Sequence, residues 1–167
     1  GSRSPYELNI TWYDALNDPA QPVPAFDVAR FLASQAIMLA PAGVPGIYIH
    51  SLFGSRSCRP CWEETGQARS LNREKFGLAE IRRDLADPDT LRAQVFGGYR
   101  HLLRTYQEQF GAHPGARQRV LGLGAGVFAL LRTADDGHRV LCVTNVTAEA
   151  VRVAIDLEGL PEETEIR

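Results

Sequence analysis

Residues 44–50 read VPGIYIH, and this short, nearly continuous apolar run decides the fold class. Such a run is typical of a parallel strand that is buried on both faces. The preceding residues 27–40 are apolar over most of a helical circumference, which predicts a well-packed helix ending at Pro41 and Gly43. A buried parallel strand needs parallel neighbours, and no other segment of the sequence is predicted to supply them. The first half is therefore interpreted as a slice of a parallel α/β structure.

Polar segments flank this predicted strand–helix unit. Residues 51–75 are expected to form a loop far longer than a strand-to-helix connection requires, and loops of that length are commonly functional. Residues 5–18 are likewise expected to be a long loop. A second helix is predicted from Asp89 or Thr90 to Phe110, and the Gly97–Gly98 pair inside it predicts close packing.

The pattern changes to period-two alternation near residue 115, which is typical of strands. Strands are predicted at 119–123, 127–132, 139–145 and 151–157, with a hairpin turn at 135–138. Together they form a small antiparallel sheet with one solvent-exposed face. Residues 122–127 read GLGAGV, but the third glycine comes one position too early for a dinucleotide fingerprint, so we interpret this stretch as a turn.

The composition is that of a soluble globular protein. The net charge of −2 gives no reason to expect nucleic acid or an anionic membrane as a partner. No apolar run approaches the roughly 20 residues that span a bilayer. The odd number of cysteines argues against a secreted disulfide framework, and we expect a cytoplasmic location.

Cys58 and Cys61 have the spacing of half a zinc site or of a redox pair. A structural zinc site needs a second pair of ligands, and neither Cys142 nor the dispersed histidines supply one by spacing. We therefore expect no metal and no cofactor, and we interpret the two cysteines as part of an ordinary solvent-exposed loop.

Three further stretches, taken in order, carry a family resemblance. Residues 6–16 read YELNITWYDAL, residues 42–50 read AGVPGIYIH, and residues 65–74 read TGQARSLNRE. They are similar to the loop after the seventh barrel strand, to the eighth strand, and to the Gly-Arg-Asp-Ile-Asn-Arg-type motif after it. These are features of sucrose phosphorylase-type enzymes in glycoside hydrolase family 13, the α-amylase superfamily. The forms SPYELN and IHSL look most like the glucosylglycerate-type phosphorylases of that group.

The resemblance implies an α/β fold class: the C-terminal part of a (β/α)8 TIM barrel followed by a small antiparallel β domain. The barrel part would comprise the strand-7 loop, helix 7, strand 8 and helix 8. The implied domains are 1–114, the end of the catalytic barrel, and 115–167, the β domain. Such barrels place their active sites at the carboxyl ends of the strands.

The resemblance also implies the chemistry of a retaining glucosyl transfer. An α-glucoside such as sucrose or glucosylglycerate and inorganic phosphate would be the substrates, and glucose 1-phosphate a product. The three catalytic carboxylates of such enzymes come from strands four, five and seven. They would lie in an upstream barrel segment of the same protein, so no catalytic residue is assigned here, and the chain alone is expected to be inactive.

Four residues are candidates for substrate binding. Arg69 matches the family arginine that hydrogen-bonds the glucosyl ring, and Tyr6 and Glu7 match positions of a mobile loop that meets the leaving group or phosphate. His50 lies at the end of the predicted strand, where barrel enzymes bind their substrates. The alternatives without a binding role are a loop arginine at Arg69 paired with Glu63, Glu64 or Glu74, a packing role for Tyr6, and a structural, hydrogen-bonded His50.

Two departures from the family pattern bear on the substrate. Ser70 stands where the family motif often has Asp, and Glu7 stands where sucrose phosphorylases often have Gln. Both argue against sucrose itself.

Two rival functions remain open. The first is a hydrolase or transglycosylase of the same superfamily. The second is a stand-alone, non-catalytic carbohydrate-binding or interaction module built on the β domain. A homodimer is an oligomeric state that the sequence leaves open.

Overall fold

A computed structural model describes residues 8–110 and 113–155 of the chain. Within them, six α-helices and one 3₁₀ helix precede a three-stranded antiparallel sheet of order β1-β2-β3. The α-helices are Trp12–Leu16 (α1), Pro24–Leu39 (α2), Ile49–Leu52 (α3), Arg59–Thr65 (α4), Leu78–Ala86 (α5) and Leu91–Phe110 (α6). The 3₁₀ helix is Ala68–Asn72, and the strands are Arg117–Val120 (β1), Val127–Thr133 (β2) and Arg139–Asn145 (β3).

The two long helices form as the sequence predicts and build the core between them. Helix α2 begins three residues early because Pro24 occupies its first turn, where its missing N–H costs nothing. The core cluster consists of Tyr13, Phe31, Val95 and Tyr99, each no more than 2% exposed. The predicted close packing at the glycine pair occurs at Gly98 alone, where an added Cβ would meet the side chain of Leu32.

The predicted strand at residues 44–50 is not a paired strand. Residues 44–48 have no regular secondary structure, and Ile49 and His50 begin helix α3. Val44 is 86% exposed and Tyr48 is 50% exposed. The physical reason is the one that the sequence raised: in the part of the chain that the structure describes, no parallel strand lies beside this segment to accept its hydrogen bonds.

The segments expected to be loops are partly helical. Residues 51–75 contain α4 and the 3₁₀ helix, and residues 8–18 contain α1. Helix α5, which the sequence did not predict, precedes α6. These helices are short, so they leave little periodicity to recognise. Contacts with α2 stabilise α1, contacts with α6 stabilise α5, and α4 and the 3₁₀ helix pack against each other.

The sheet agrees with the prediction in three strands. Strand β2 pairs with both neighbours, Leu130 facing Val120 on one side and Cys142 on the other. The predicted turns occur at Gly124 and Gly137, which have φ values of 97° and 90°. The expected solvent-exposed face is absent from β2, where the successive residues Ala129, Leu130 and Leu131 are all buried.

The predicted fourth strand lies partly outside the described residues. Its described part, residues 151–155, forms no strand. The connection into the sheet is held by Arg132, which is 1% exposed and donates to the carbonyl oxygens of His113 at 2.6 Å and Pro114 at 2.9 Å. The backbone N–H of Gly43 donates to the same Pro114 oxygen at 2.8 Å, so the sheet is joined to the end of the first long helix.

Candidate functional site

The two segments that the sequence placed near the substrate meet at one acidic side chain, Asp14 of α1. Its Oδ2 accepts a hydrogen bond from the backbone N–H of Ser57 at 2.6 Å, and its Oδ1 accepts one from Arg56 Nη1 at 3.1 Å. The hydroxyl of Ser57 in turn accepts from the backbone N–H of Thr11 at 3.2 Å. The start of α1 and residues 56–57 are therefore joined by hydrogen bonds in both directions.

Cys58 and Cys61 form a disulfide across the first turn of α4. The interpretation of these cysteines as part of an ordinary loop is wrong: Cys58 is the N-cap of α4, and its Sγ accepts from the backbone N–H of Cys61 at 3.2 Å. Cysteines three residues apart at a helix start come within bonding distance because one helical turn separates them. In residues 8–110 and 113–155, no cluster of three or more His, Cys, Asp or Glu side chains could hold a metal ion.

Arg69 lies on the 3₁₀ helix, and its side chain is exposed. Two contacts hold this short helix against α4. The backbone N–H of Cys58 donates to the carbonyl of Leu71 at 2.8 Å, and the hydroxyls of Thr65 and Ser70 are 2.7 Å apart. A tight turn fixed at both ends presents its arginine from a defined backbone position.

His50 lies on α3 and is 7% exposed. Its ring is 5.0 Å from the ring of Tyr48 and 4.8 Å from that of Phe76, centroid to centroid. The Nδ1 atom is buried and has no hydrogen-bond partner among the described residues, which differs from the hydrogen-bonded structural histidine considered as an alternative. Burial lowers the pKa of this imidazole, and the nearby positive charge of Arg92 lowers it further, so protonation of the ring is disfavoured.

Tyr48 connects His50 with the turn that carries Arg69. Its hydroxyl donates to the carbonyl oxygen of Asn72, the last residue of the 3₁₀ helix, at 2.9 Å. The Oδ1 atom of Asn72 is buried, and like Nδ1 of His50 it has no hydrogen-bond partner within the described part of the chain. The end of the 3₁₀ helix and α3 thus both hold polar atoms with unused hydrogen-bonding capacity. Tyr6 and Glu7, the other two candidates, lie outside the described residues.

Arg92 of α6 is the centre of the neighbouring charge cluster. Its guanidinium lies 2.9 Å from Glu80, 3.2 Å from Asp84 and 3.8 Å from Glu74, and its Cζ is 4.6 Å from the ring centroid of Phe76. Glu74, one of the carboxylates considered as a partner for Arg69, thus faces Arg92. The cluster connects α5 and α6 with the segment that follows the 3₁₀ helix.

A cleft of about 410 Å³ opens between this charge cluster and residues 54–58. Arg56, Arg92, Glu74 and Asp84 line it, so that two guanidinium groups face two carboxylates and the formal charges cancel. The buried hydroxyl of Ser55, also on its wall, has no hydrogen-bond partner among the described residues. The charged groups that line the cleft therefore carry no net charge.

The sequence predicted which two segments lie near the substrate, but it did not predict which side chains connect them. Asp14 and Tyr48 lay inside the quoted motifs, yet nothing in one sequence distinguishes a connecting residue from its neighbours. Arg92 could have been suspected from the carboxylates at 74, 80 and 84, but two of these lie on helix α5, which the sequence did not predict. Only the packing of α5 on α6 brings them together.

The described helices include none that is both long enough and apolar enough to cross a bilayer. The scan against protein-family models finds no match.

Among the curated proteins and solved structures that are similar to this chain, the following three each cover most of its length. Glucosylglycerate phosphorylase of Spirochaeta thermophila is 42% identical over 144 residues, which cover 86% of this chain and 24% of that protein. Glucosylglycerate phosphorylase of Allomeiothermus silvanus is 44% identical over 144 residues, 86% of this chain and 26% of that protein. The crystal structure of sucrose 6F-phosphate phosphorylase from Thermoanaerobacter thermosaccharolyticum matches with a TM-score of 0.65 at 22% identity, over 83% of this chain and 25% of that one.

The structural match and the sequence matches establish different properties of the chain. The structural match establishes the fold of a portion of a sucrose phosphorylase-type protein, in which helices are followed by a small antiparallel sheet. The sequence matches then establish that the chain resembles, more narrowly, a portion of glucosylglycerate phosphorylase. The chain spans about a quarter of the length of the relatives it matches.

Proposed function

We propose that this chain is part of a retaining α-glucosyl phosphorylase. The complete protein would transfer glucose reversibly from an α-glucoside to inorganic phosphate and release glucose 1-phosphate. Glucosylglycerate, rather than sucrose, is the proposed α-glucoside. The observation that carries the proposal is the identity of 42–44% to glucosylglycerate phosphorylases over 86% of the chain. The departures from the family motif at Ser70 and Glu7 favour glucosylglycerate over sucrose.

In this proposal the chain supplies substrate-binding loops and no catalytic carboxylate. Arg69 hydrogen-bonds the glucosyl ring, because a fixed fork of donors suits vicinal hydroxyls. Its exposed position on a turn held by α4 supports this role. Tyr6 and Glu7 contact the leaving group or phosphate. His50 is proposed to bind a substrate hydroxyl through its ring, whose protonation is disfavoured by burial.

The proposed domain boundary lies between residues 114 and 115, with the barrel end before it and the β domain after it. The change from helix α6 to strand β1 falls around this point. A contact surface with the upstream barrel segment is the proposed role of the exposed apolar side chains of Val44, Tyr48 and Ile49.

The test is product analysis with the complete polypeptide that carries this sequence. Glucosylglycerate and phosphate are expected to give glucose 1-phosphate, and omission of phosphate is expected to abolish turnover. Free glucose formed at the same rate with and without phosphate would instead assign the protein to the hydrolases or transglycosylases. Saccharide binding without any turnover would favour the non-catalytic module.

The assignment of Arg69 is tested in the same assay. Arg69→Ala is expected to lower kcat/KM by about 100-fold or more, since it removes contacts that orient the reacting sugar. Arg83→Ala is the matched control, because Arg83 is also an exposed arginine and pairs only with its neighbour Asp84 among the contacts seen here. Phosphorolysis by Arg69→Ala at the control rate would refute this role.

A further inference from the structure

We propose that Asp14 is a positioning residue that holds the turn carrying Arg69 in register with helix α1. The inference rests on the proposed function for its catalytic consequence. The structural part of the proposal is a connection from α1 to the 3₁₀ helix, and it rests on contacts within the chain itself.

The carboxylate of Asp14 is fixed in place. The side chain is 9% exposed, and each oxygen accepts a separate hydrogen bond, one from a backbone N–H and one from a guanidinium. The 2.6 Å contact with the N–H of Ser57 is a short, charge-assisted hydrogen bond. Arg56 is confined further because its Cζ lies 5.2 Å from the ring centroid of Tyr13, a core residue.

Ser57 is connected to the backbone that carries Arg69 by a short chain of bonds. The next residue, Cys58, donates its N–H to the carbonyl of Leu71, two residues beyond Arg69. The disulfide between Cys58 and Cys61 fixes the start of α4, and the hydroxyl of Thr65 at its end contacts Ser70. Displacement of Ser57 therefore moves the backbone that carries Arg69.

A simpler role for Asp14 is that of a local stabiliser of α1. It lies in the first turn of this helix, and its N–H donates to the side chain of the N-cap residue Thr11 at 3.4 Å. A merely local role would lower stability and would leave the effect of Arg69 on catalysis unchanged. The two roles are separated by measuring whether Asp14 and Arg69 act on the same step.

The experiment is a double-mutant cycle in the complete polypeptide, with kcat/KM for phosphorolysis of glucosylglycerate as the readout. Asp14→Ala is expected to lower kcat/KM by about 10- to 100-fold, the size of effect that sub-ångström to ångström misplacement of a binding group produces. In the Arg69→Ala background, Asp14→Ala is expected to lower kcat/KM by no more than about twofold. That is about the error with which the effects of independent sites add. Full additivity of the two effects would overturn the proposal.

Two variants serve as controls. Asp14→Asn keeps an oxygen that can accept from the Ser57 N–H and is expected to recover most of the activity lost in Asp14→Ala. Asp14→Ser, whose shorter side chain removes both contacts, replaces Asp14→Ala should the latter fail to fold. Asp18→Ala removes an exposed carboxylate that contacts only the N–H of Ala20 among the contacts seen here, and it is expected to leave kcat/KM unchanged.

Hydrogen exchange tests the connection without reference to activity. Asp14→Ala is expected to speed amide exchange in residues 57–72, including the N–H of Cys58, whereas Asp18→Ala is not. Unchanged exchange in Asp14→Ala would refute the connection whether or not the protein performs phosphorolysis. A protein that forms no glucose 1-phosphate but passes the exchange test would refute only the proposed function.

Discussion

Tyr99 Oη donates a hydrogen bond to Oε1 of Gln35 at 2.8 Å, and this buried contact joins the two long helices. Tyr99 is fully buried and Gln35 is 5% exposed. The amide nitrogen of Gln35 also donates to the hydroxyl of Ser34, so the glutamine is oriented from both sides. The core between α2 and α6 thus contains one polar pair whose hydrogen bond is shielded from water, where its loss is costly.

Tyr99→Phe is expected to lower the free energy of unfolding by about 1–3 kcal/mol, because the buried carbonyl of Gln35 is left without its donor. Tyr106→Phe is the matched control. Its hydroxyl donates to the carbonyl of Gly43 at an exposed position, where water replaces the lost bond. Urea denaturation followed by circular dichroism measures both. Equal effects of the two variants would contradict the importance of the Tyr99–Gln35 pair.

The same tyrosine predicts a loss of stability at high pH. Burial raises the pKa of Tyr99 from its ordinary value of 10.0 to about 12. Because the pKa is higher in the folded state, this contribution is fully present below pH 10 and is lost as the pH rises from 10 to about 12. Stability measured across this range is expected to fall less steeply in Tyr99→Phe than in the unmodified chain. Identical slopes would show that Tyr99 ionises as in the unfolded chain.

The glycine pair in α6 predicts opposite effects at adjacent positions. A Cβ at Gly98 would overlap one methyl carbon of Leu32 and come within 3.2 Å of two further atoms of that side chain, whereas a Cβ at Gly97 meets nothing within 4 Å. Gly97→Ala is therefore expected to stabilise the chain by about 0.5–1 kcal/mol through helix propensity. Gly98→Ala is expected to destabilise it by about 1 kcal/mol, as overpacking outweighs propensity. Thermal unfolding distinguishes them, and stabilisation by both would show that Leu32 moves aside freely.

Arg92 and Arg83 contact the same aspartate with different consequences. Arg92 is 14% exposed in its side chain and bonds to both Glu80 and Asp84, whereas Arg83 is 73% exposed. Arg92→Met is expected to cost about 2 kcal/mol, discounted for the partial exposure of its partners. Arg83→Met is expected to change stability by no more than about 0.5 kcal/mol. Denaturation midpoints measure the difference, and indistinguishable midpoints would contradict the central role of Arg92.

The histidine at the site predicts a loss of stability in mild acid. Burial, and then Arg92, lower the pKa of His50 below 6.5, so the folded state disfavours its protonation. Its contribution to stability is therefore complete above pH 6.5 and decreases as the pH falls through the lower, folded-state pKa. NMR titration is expected to give a higher His50 pKa in Arg92→Met than in the unmodified chain, with Arg83→Met as the control. An unchanged His50 pKa in Arg92→Met would show that Arg92 does not lower the pKa of His50.

The sequence by itself determined the elements whose patterns are local. The apolar faces of α2 and α6 follow from periodicity, and the hairpin turn at Gly137 follows from the conformational freedom of glycine. The ordered motifs at residues 6–16, 42–50 and 65–74 likewise sufficed for the resemblance that the comparisons confirm. Sequence also selected Arg69 and His50 as candidates, although their role in binding remains a prediction.

Only the tertiary structure decided what depends on distant partners. Residues 44–48 have the composition of a buried strand, but a strand exists only where a neighbour accepts its hydrogen bonds. The disulfide of Cys58 depends on the helical turn that brings Cys61 near. Asp14 meets Ser57 across 43 positions of the chain, a distance at which no local pattern operates. The hydrophobic periodicity of a segment indicates which of its sides is buried. It does not indicate which other segments pack against that side, because these are determined by the tertiary structure.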